Sequence, residues 1–496
     1  MTRLDFDPYS VLGLSQDASN DDIKAAYRRA ARRLHPDVNR NPGAVVQFQD
    51  ISAANELLSD TERRREYDRA PREVTDGLKF NFRLTPSRNH IALLPENQVF
   101  YLLAEIIPDR LAAEASNRKE SRLNLTLVLD HSNSMNGARL ERVKAATHQI
   151  IDQLNPEDII SVVGFNDFAE VVVPATTAAD KPALKARVSM MGASGSTEIL
   201  KGLSLGLEQN RKFLAPRLVN HMILLTDGRT FGDEADCLAL AHEASKDGIS
   251  ISAMGLGQEW NDKFLDELAA STGGASAYIQ TSSAVVKFMN DHVRSLANVF
   301  AERVTLSIAP DPDIRIESVF KLAPNPQPLP ADVGAIPLGS LQVNRIISVL
   351  IQFELPSLER SGFRPIARLV CSGDIFGAKV QHHQIINEVA VELMDNAPQE
   401  EPPTAILDAL GKLTLYRMQE RAQVAAETGD IREATRLFEN LATRLYELGQ
   451  PDLAQQAQSE AEQVAYTKSL SDKGRKAIKY QTRHLLLAQA AGDNAE

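Results

Sequence analysis

Two sets of residues in this chain have types and spacings that could do chemistry. The first is Asp130-His131-Ser132-Asn133-Ser134, joined further along by Thr197 and Asp227. It offers three hydroxyls and two carboxylates, all hard oxygen donors. Such a set suits Mg²⁺ or Mn²⁺ and supplies no soft ligand for zinc or copper. Two carboxylates balance a dication. An ion of about six ligands held this way stays open to water, or to an acidic group brought by another protein. The second set is His35-Pro36-Asp37. It follows Lys24, Arg28 and Arg32 at four-residue spacing, with Arg29 and Arg33 beside them. A basic stripe next to a stiff loop suits docking on an acidic surface.

Neither set reads as a catalytic centre. Ser132 stands where a phosphatase-type Asp-x-Asp pair needs its second acid. There is no Gly-x-x-x-x-Gly-Lys-Ser/Thr loop and no Gly-x-Ser-x-Gly elbow, and Gly255-Leu256-Gly257 lacks the third glycine of a dinucleotide fingerprint. The chain is expected not to be an enzyme, with a metal-dependent hydrolase kept as an alternative.

The elements that must hold these residues follow from the pattern. Leu123, Leu125, Leu127 and Leu129 alternate along a central strand that ends at Asp130. Ligands of open α/β sheets gather at that end of the strands. Strands are expected at 159–165, 169–173, 222–226, 249–256 and 277–279, and helices at 139–154, 184–191, 198–213, 234–246, 262–271 and 283–296. That alternation is a doubly wound, largely parallel sheet. Thr197 closes a loop before a helix and Asp227 ends a strand, so both fall on the ligand side with Asp130.

Near the start, Asn20 is placed to cap a helix running to about Leu34, with Asp21 and Asp22 in its first turn. Ile23, Tyr27, Ala30 and Leu34 make its apolar stripe, and Pro36 stops it. A helix near 44–58 should bury Phe48, Ile51, Ala54 and Leu58, and a short one spans 61–69. Roughly residues 5–70 resemble the J domain of DnaJ-type co-chaperones. The resemblance rests on Pro8-Tyr9…Leu12-Gly13, Ile23-Lys24…Ala26-Tyr27-Arg28, His35-Pro36-Asp37, Ala53…Leu57-Leu58-Ser59-Asp60 and Arg64…Tyr67-Asp68. Asn55 departs from the aromatic that members often carry, and no Gly/Phe-rich linker or Cys-x-x-Cys zinc repeat follows. The resemblance implies docking on a DnaK-type chaperone ATPase and acceleration of its ATP hydrolysis. Lys24, Arg28, Arg29, Arg32, His35, Pro36 and Asp37 would be the binding residues, Asp37 through a charge-assisted bond.

About residues 121–299 resemble a von Willebrand factor type A domain with an intact metal-ion-dependent adhesion site. By that resemblance Ser132, Ser134 and Thr197 bind the ion directly or nearly so, and Asp130 and Asp227 through water or a shifted contact. A protein partner then completes the shell with a glutamate or aspartate. His131 and Asn133 fill variable positions.

On either side of this domain the chain reads as short strands, at 78–84 and 98–106, then at 304–308, 314–316, 349–355 and 367–371. Pro310, Pro324 to Pro330, Pro356 and Gly373 break them. One β-sandwich interrupted by the α/β domain is expected, with two independent β units as the alternative. Past an acidic, Pro-rich stretch at 395–404 the chain turns helical, at 405–427, 431–448 and again from Pro451. The echo of Gly429 and Ala434 at Gly449 and Ala454 is shorter than the roughly 34-residue tetratricopeptide unit, so a hairpin or small bundle is expected. Lys473 to Lys479 reads as a solvated basic patch, and 492–496 as a fraying end.

The expected organisation is multidomain, as 496 residues require. An α-helical J domain occupies 1–70, a discontinuous β-sandwich 76–120 and 300–393, the α/β domain 121–299, and a helical hairpin or bundle 403–490. The net charge of −12 argues against a nucleic-acid partner. No apolar run reaches the roughly 20 residues that span a bilayer. The N-terminus shows no apolar signal core, and Cys237 and Cys371 lie far apart without metal spacing, so a reducing, cytoplasmic setting is expected. The expected function is a J-domain co-chaperone or adaptor that recruits a partner through the metal. The alternative is a metal-dependent protein-binding scaffold without chaperone activity.

Overall fold

The computed structural model describes residues 6–69, 79–109, 121–215, 218–230, 232–358, 360–376 and 382–492, with side chains up to 483. The expectations for Leu78 and for 493–496 lie outside these residues. The chain divides into two compact units. One gathers Met1–Lys119, Phe300–Lys321 and Pro328–Ala409, the other Glu120–Val299, Leu322–Gln327 and Leu410–Glu496.

The first unit opens with helices α1 (Pro8–Leu12), α2 (Asn20–Leu34), α3 (Pro42–Ser59) and α4 (Thr61–Arg69). Ser19, not Asn20, caps α2. Ser19 Oγ accepts from Asp22 N at 3.1 Å, and the Asp22 carboxylate accepts from Ser19 N at 2.9 Å. This reciprocal box needs the hydroxyl three residues before the acid, which places Asn20 in the first turn. Tyr9, Ile23, Leu34, Ile51, Ala54 and Leu58 are buried, while Phe48 is half-buried. Arg64 pins α4 by donating to Tyr9 Oη at 2.8 Å and to Ala18 O at 2.7 Å.

Strands β1 (Phe80–Pro86), β2 (His90–Ala92) and β3 (Gln98–Pro108) precede the α/β domain. That domain runs β4 (Arg122–Asp130), α5 (Ala138–Gln153), β5 (Ile159–Phe165), β6 (Ala169–Thr177), α6 (Lys181–Ser189), α7 (Ile199–Arg211), β7 (Leu218–Thr226), α8 (Glu234–Lys246), β8 (Ser250–Leu256), α9 (Asp262–Ala270), β9 (Ser276–Ile279) and α10 (Val285–Ala297). The sheet order is β6-β5-β4-β7-β8-β9. Every neighbouring pair is parallel except β5 with β6. The link between those two strands is too short for a crossover, so β6 folds back as an antiparallel edge. β4 is buried along both faces, as a central strand must be. Its register sets Leu129 opposite Leu225, which brings the ends carrying Asp130 and Asp227 abreast.

After the α/β domain come β10 (Val299–Pro310), β11 (Arg315–Ala323), β12 (Gln327–Leu329), β13 (Ile336–Gln342), β14 (Ile347–Leu355), β15 (Gly362–Ile375) and β16 (His382–Met394). They interleave with the first three strands in two sheets, β1-β3-β14-β11-β12 and β13-β10-β15-β16-β2. β3 pairs with β14 and β2 with β16, so the stretches on both sides of the α/β domain share sheets. Phe100, Ile106, Leu306, Val349, Ile351 and Leu369 meet in one buried core. β12, β13 and β16 had no clear sequence signal. The first two lie in or beside the Pro-rich break, and much of β16 is only half-buried, which blurs its alternation.

The last elements are α11 (Thr404–Glu427), α12 (Ile431–Glu447), α13 (Pro451–Thr467) and α14 (Asp472–Gly492). Gly429 and Gly449 end α11 and α12 with φ of +82° and +69°, a backbone that favours glycine. Phe438, Leu441, Leu445, Ala457 and Val464 form their core. The basic patch on α14 is not a solvated face. Lys473 is exposed, but Lys476 and Lys479 are buried. Lys479 Nζ lies 2.6 Å from Asp262 and 2.8 Å from Asp266, and Arg475 lies 2.6 Å from Asp262. Two acids on α9 give these cations a partner that the helix's own sequence could not show. Among the described residues no helix is long and apolar enough to cross a membrane.

Candidate functional site

The five oxygen donors expected to bind a metal converge at the C-terminal ends of β4 and β7. Asp130, Ser132, Thr197 and Asp227 are buried, and Ser134 is exposed, so the cluster opens to solvent there. Ser132 Oγ and Ser134 Oγ are 3.0 Å apart, and Ser134 Oγ donates to Asp227 Oδ1 at 2.5 Å. Thr197 closes the opposite side. Its Oγ1 stands 2.9 Å from where a Cβ on Gly228 would lie, so only glycine after Asp227 leaves it room.

Supporting residues that the sequence did not single out hold this face. Thr226 Oγ1 donates to Asp130 Oδ2 at 2.7 Å, and Ser132 N donates to Asp130 Oδ1 at 2.9 Å. Asn166 Nδ2 donates to Ser194 O at 2.8 Å, and Glu198 N donates to Asn166 O at 2.8 Å, which sets the loop bearing Thr197. The first amides of α7 donate to Thr230 Oγ1 and Asp233 Oδ2, each at 3.2 Å, stitching that helix to the loop after Asp227. Arg139 Nη1 lies 2.5 Å from Asp227 Oδ2 and 3.1 Å from Ser134 O. Signals for such residues are weak in sequence, because a threonine beside an aspartate or a basic residue in the first turn of a helix is common. His131 is buried, with Nδ1 bonded to Gly192 O at 2.8 Å, while Asn133 is exposed.

The charge balance tests whether a dication fits. Burial pushes the Asp130 carboxyl above its ordinary value, the bonds from Ser132 and Thr226 oppose this, and Asp227 adds to the rise. The half-exposed Arg139 pairs with Asp227, and among the described residues no cation pairs with the buried Asp130. Uncompensated buried charge is costly. A hard dication would relieve that cost, and the hydroxyl-rich donor set matches it. Among the described residues no group of three or more His, Cys, Asp or Glu is placed to hold a metal ion, and three of the five donors in this cluster are hydroxyls.

In the first unit, Lys24, Arg28, Arg29 and Arg32 are exposed on α2. Arg33 instead turns to the sandwich, with Nε 2.9 Å from Asp311 Oδ1. Asp37 N donates to His35 Nδ1 at 3.2 Å, and the His35 ring meets Phe48 edge-on at 5.0 Å. The Asp37 side chain is 88% exposed, with Oδ2 3.5 Å from His35 Nδ1. Pro36 holds the bend between the two.

Comparison with known proteins assigns families to the stretches that carry these two clusters. Residues 7–68 match the family described as DnaJ domain, and residues 124–292 the von Willebrand factor type A domain. Residues 404–488 match the Sll0103-like, C-terminal alpha-helical domain. The chain is thus a DnaJ domain fused to a von Willebrand factor type A domain, with a helical domain after them. An uncharacterized protein of Synechocystis sp., sll0103, is 33% identical over 244 residues, 48% of this chain and 58% of that protein. A chloroplastic chaperone protein dnaJ A7B of Oryza sativa is 55% identical over 69 residues, 14% of this chain and 15% of its own length. The chain therefore spans little more than half of the first relative and a small part of the second. In the solved structure of a von Willebrand factor type A protein from Catenulispora acidiphila, 97% of that chain overlays 83% of this one, with a TM-score of 0.67 at 16% identity. At that identity the likeness is one of fold.

Proposed function

We propose that this chain is a co-chaperone and adaptor. Its DnaJ domain stimulates a DnaK-type chaperone ATPase, and its von Willebrand factor type A domain recruits a protein partner through Mg²⁺ or Mn²⁺. The observation that carries this reading is the five-donor cluster opening to solvent at Ser134, in a chain that also displays Asp37 on an exposed loop. The exposed Lys24, Arg28, Arg29 and Arg32 would steer an acidic chaperone surface onto α2. His35 and Pro36 set the loop, and Asp37 supplies a charged acceptor for an arginine of the chaperone. Ser132, Ser134 and Thr197 would hold the ion, and Asp130 and Asp227 would balance its charge. Once bound, the ion supplies an electrophilic centre that an acidic side chain of the partner completes. The chaperone performs the chemistry, and this chain makes and breaks no bond. Two buried free thiols, Cys237 and Cys371, support a reducing compartment such as the cytoplasm.

The decisive assay is steady-state ATP hydrolysis by a DnaK-type chaperone with the full chain added. Wild type should stimulate it and His35→Gln should not. Equal stimulation by both, or none by wild type, sinks the co-chaperone reading. For the metal, calorimetry with Mg²⁺ should show binding to wild type and none to Asp130→Ala. Unchanged binding would put the ion elsewhere. Partners captured from extract and released by a chelator would belong to this face.

A further inference from the structure

The first unit carries a contact that the two sites above leave unexplained. The loop from His35 to Asp37 is gripped from behind, on both flanks, by the sandwich. Two residues before it, Arg33 Nε bonds Asp311 and Nη1 lies 3.3 Å from Glu388 Oε2. Two residues after it, Asn39 is 4% exposed. Its Nδ2 donates to Pro310 O at 2.8 Å and to Arg33 O at 3.2 Å, and its Oδ1 accepts from Asn41 N at 3.1 Å. One side chain therefore ties the end of β10 to the last turn of α2 and to the loop's exit.

The contact continues along α3. A Cβ on Gly43 would stand 2.1 Å from Ile308 O, so the two backbones touch there. Gln47 is fully buried, with Nε2 3.3 Å from Ser307 Oγ and 3.2 Å from Arg368 O, while its Oε1 accepts from Arg368 Nη1 at 2.9 Å. Arg368 Nη2 donates to Val11 O at 2.7 Å. Ala309 of β10 lies within the helices' own apolar core. A domain on a free tether would keep these groups in water, because burying them without partners costs about 1–3 kcal/mol each.

We propose that the β-sandwich is the platform that orients the His35–Asp37 loop, with Asn39 as the positioning residue that transmits its hold. This rests on the reading that the loop acts on a DnaK-type ATPase. The platform also divides the basic helix. Arg33 is committed to Asp311 and Glu388, while Lys24, Arg28, Arg29 and Arg32 stay available. Encounter depends on those four and the productive step on the loop's geometry, so the two should separate in kinetics.

The test uses the full chain and two variants. Asn39→Asp is nearly isosteric and keeps the acceptor for Asn41 N, but turns a donor that feeds two carbonyls into an acceptor. Gln47→Leu cuts the sandwich contact through bonds to Ser307 and Arg368 that involve no residue of the loop. Hydrogen exchange is read at the amides of Val38 and Asn39, both bonded to His35 O. ATPase stimulation is read as the half-saturating concentration and the maximum, and thermal melting confirms that each variant folds. Both variants should lose protection at these amides. Maximal stimulation should fall about fivefold to tenfold, the size of one hydrogen bond expressed as a rate, with the half-saturating concentration within about twofold. Retained protection in both variants overturns the proposal, even if wild type stimulates nothing. Lost protection with an unchanged maximum overturns it too. Absent stimulation by wild type counts against the co-chaperone reading, and the exchange result then decides the platform by itself.

Discussion

Replacing Asp266 by asparagine should loosen the last helix from the α/β domain. Asp266 accepts from Arg483 twice, at 3.0 and 2.7 Å, from Tyr480 Oη at 2.8 Å and from Ser276 Oγ at 2.5 Å, and Lys479 Nζ lies 2.8 Å away. The side chains of Arg483 and Lys479 are only 7% and 8% exposed. Asparagine turns an amide toward two buried cations and removes their anion. Removing one partner of a buried pair costs about 3–5 kcal/mol. Asp266 keeps 16% of its exposure and Lys479 keeps Asp262, so the low end, about 3 kcal/mol, applies. Trp260 reports the event. It is the chain's one tryptophan, is fully buried, and lies under Lys476 Nζ at 4.4 Å and 5.8 Å from the Tyr480 ring. Urea titration followed by its emission should show a midpoint about 1–3 M lower in Asp266→Asn, given a urea slope of about 1–3 kcal/mol per molar. Adding Arg483→Met should recover most of the loss. A midpoint shift below about 0.3 M, or a double variant as weak as the single one, would refute the reasoning. The pH dependence has a defined sign. Burial alone would raise the pKa of Asp266, but Arg483 and Lys479 outweigh it and hold the carboxyl well below its usual range. A depressed folded pKa gives stabilisation that is complete above the ordinary carboxylate value and lost only as pH falls through the folded value. Wild type should therefore keep the helix docked at pH values where ordinary carboxylates have begun to protonate, and Asp266→Asn should show a shallower acid dependence.

Arg139→Gln should tighten Mg²⁺ binding by about threefold, because a half-exposed cation that competes for Asp227 is removed. Calorimetry checks this, and weaker or unchanged affinity would count against the role given to Arg139. Burial, opposed by Arg303 and aided by Asp374, lifts the Glu302 carboxyl to about 8 from 4.5. With the folded value raised, stability is full below the unfolded value and is lost as pH rises through the folded one. Melting temperature should then fall as pH rises from about 4.5 to about 8 in wild type, level off above that, and fall less in Glu302→Gln, and parallel curves would exclude Glu302 as the cause.

Much of the candidate face was legible because Asp130 and Asp227 sit at strand ends. The Leu123–Leu129 alternation fixes where β4 stops, and a parallel sheet gathers such ends. Thr226, Asn166 and Arg139 were not legible, since their roles depend on which loop lies across from them. The α2 stripe was half legible: spacing put five basic residues together, but only the sandwich shows that Arg33 faces inward. Asn20 misled because a capping box depends on a pair, and Ser19 with Asp22 outcompetes it.

The sequence by itself determined what is local. That includes the helix that Pro36 ends, the strand that delivers Asp130, the glycines that end α11 and α12, and the oxygen-only donor set. Only the tertiary structure decided what depends on contact between distant segments. It interleaved β1–β3 with β10–β16, and it turned the basic residues of α14 onto Asp262 and Asp266. It also set Asn39 between α2 and Pro310. The physical reason is that periodicity records which face of an element is buried, whereas a buried charge or amide is explained only by the partner that satisfies it, and that partner can lie hundreds of residues away.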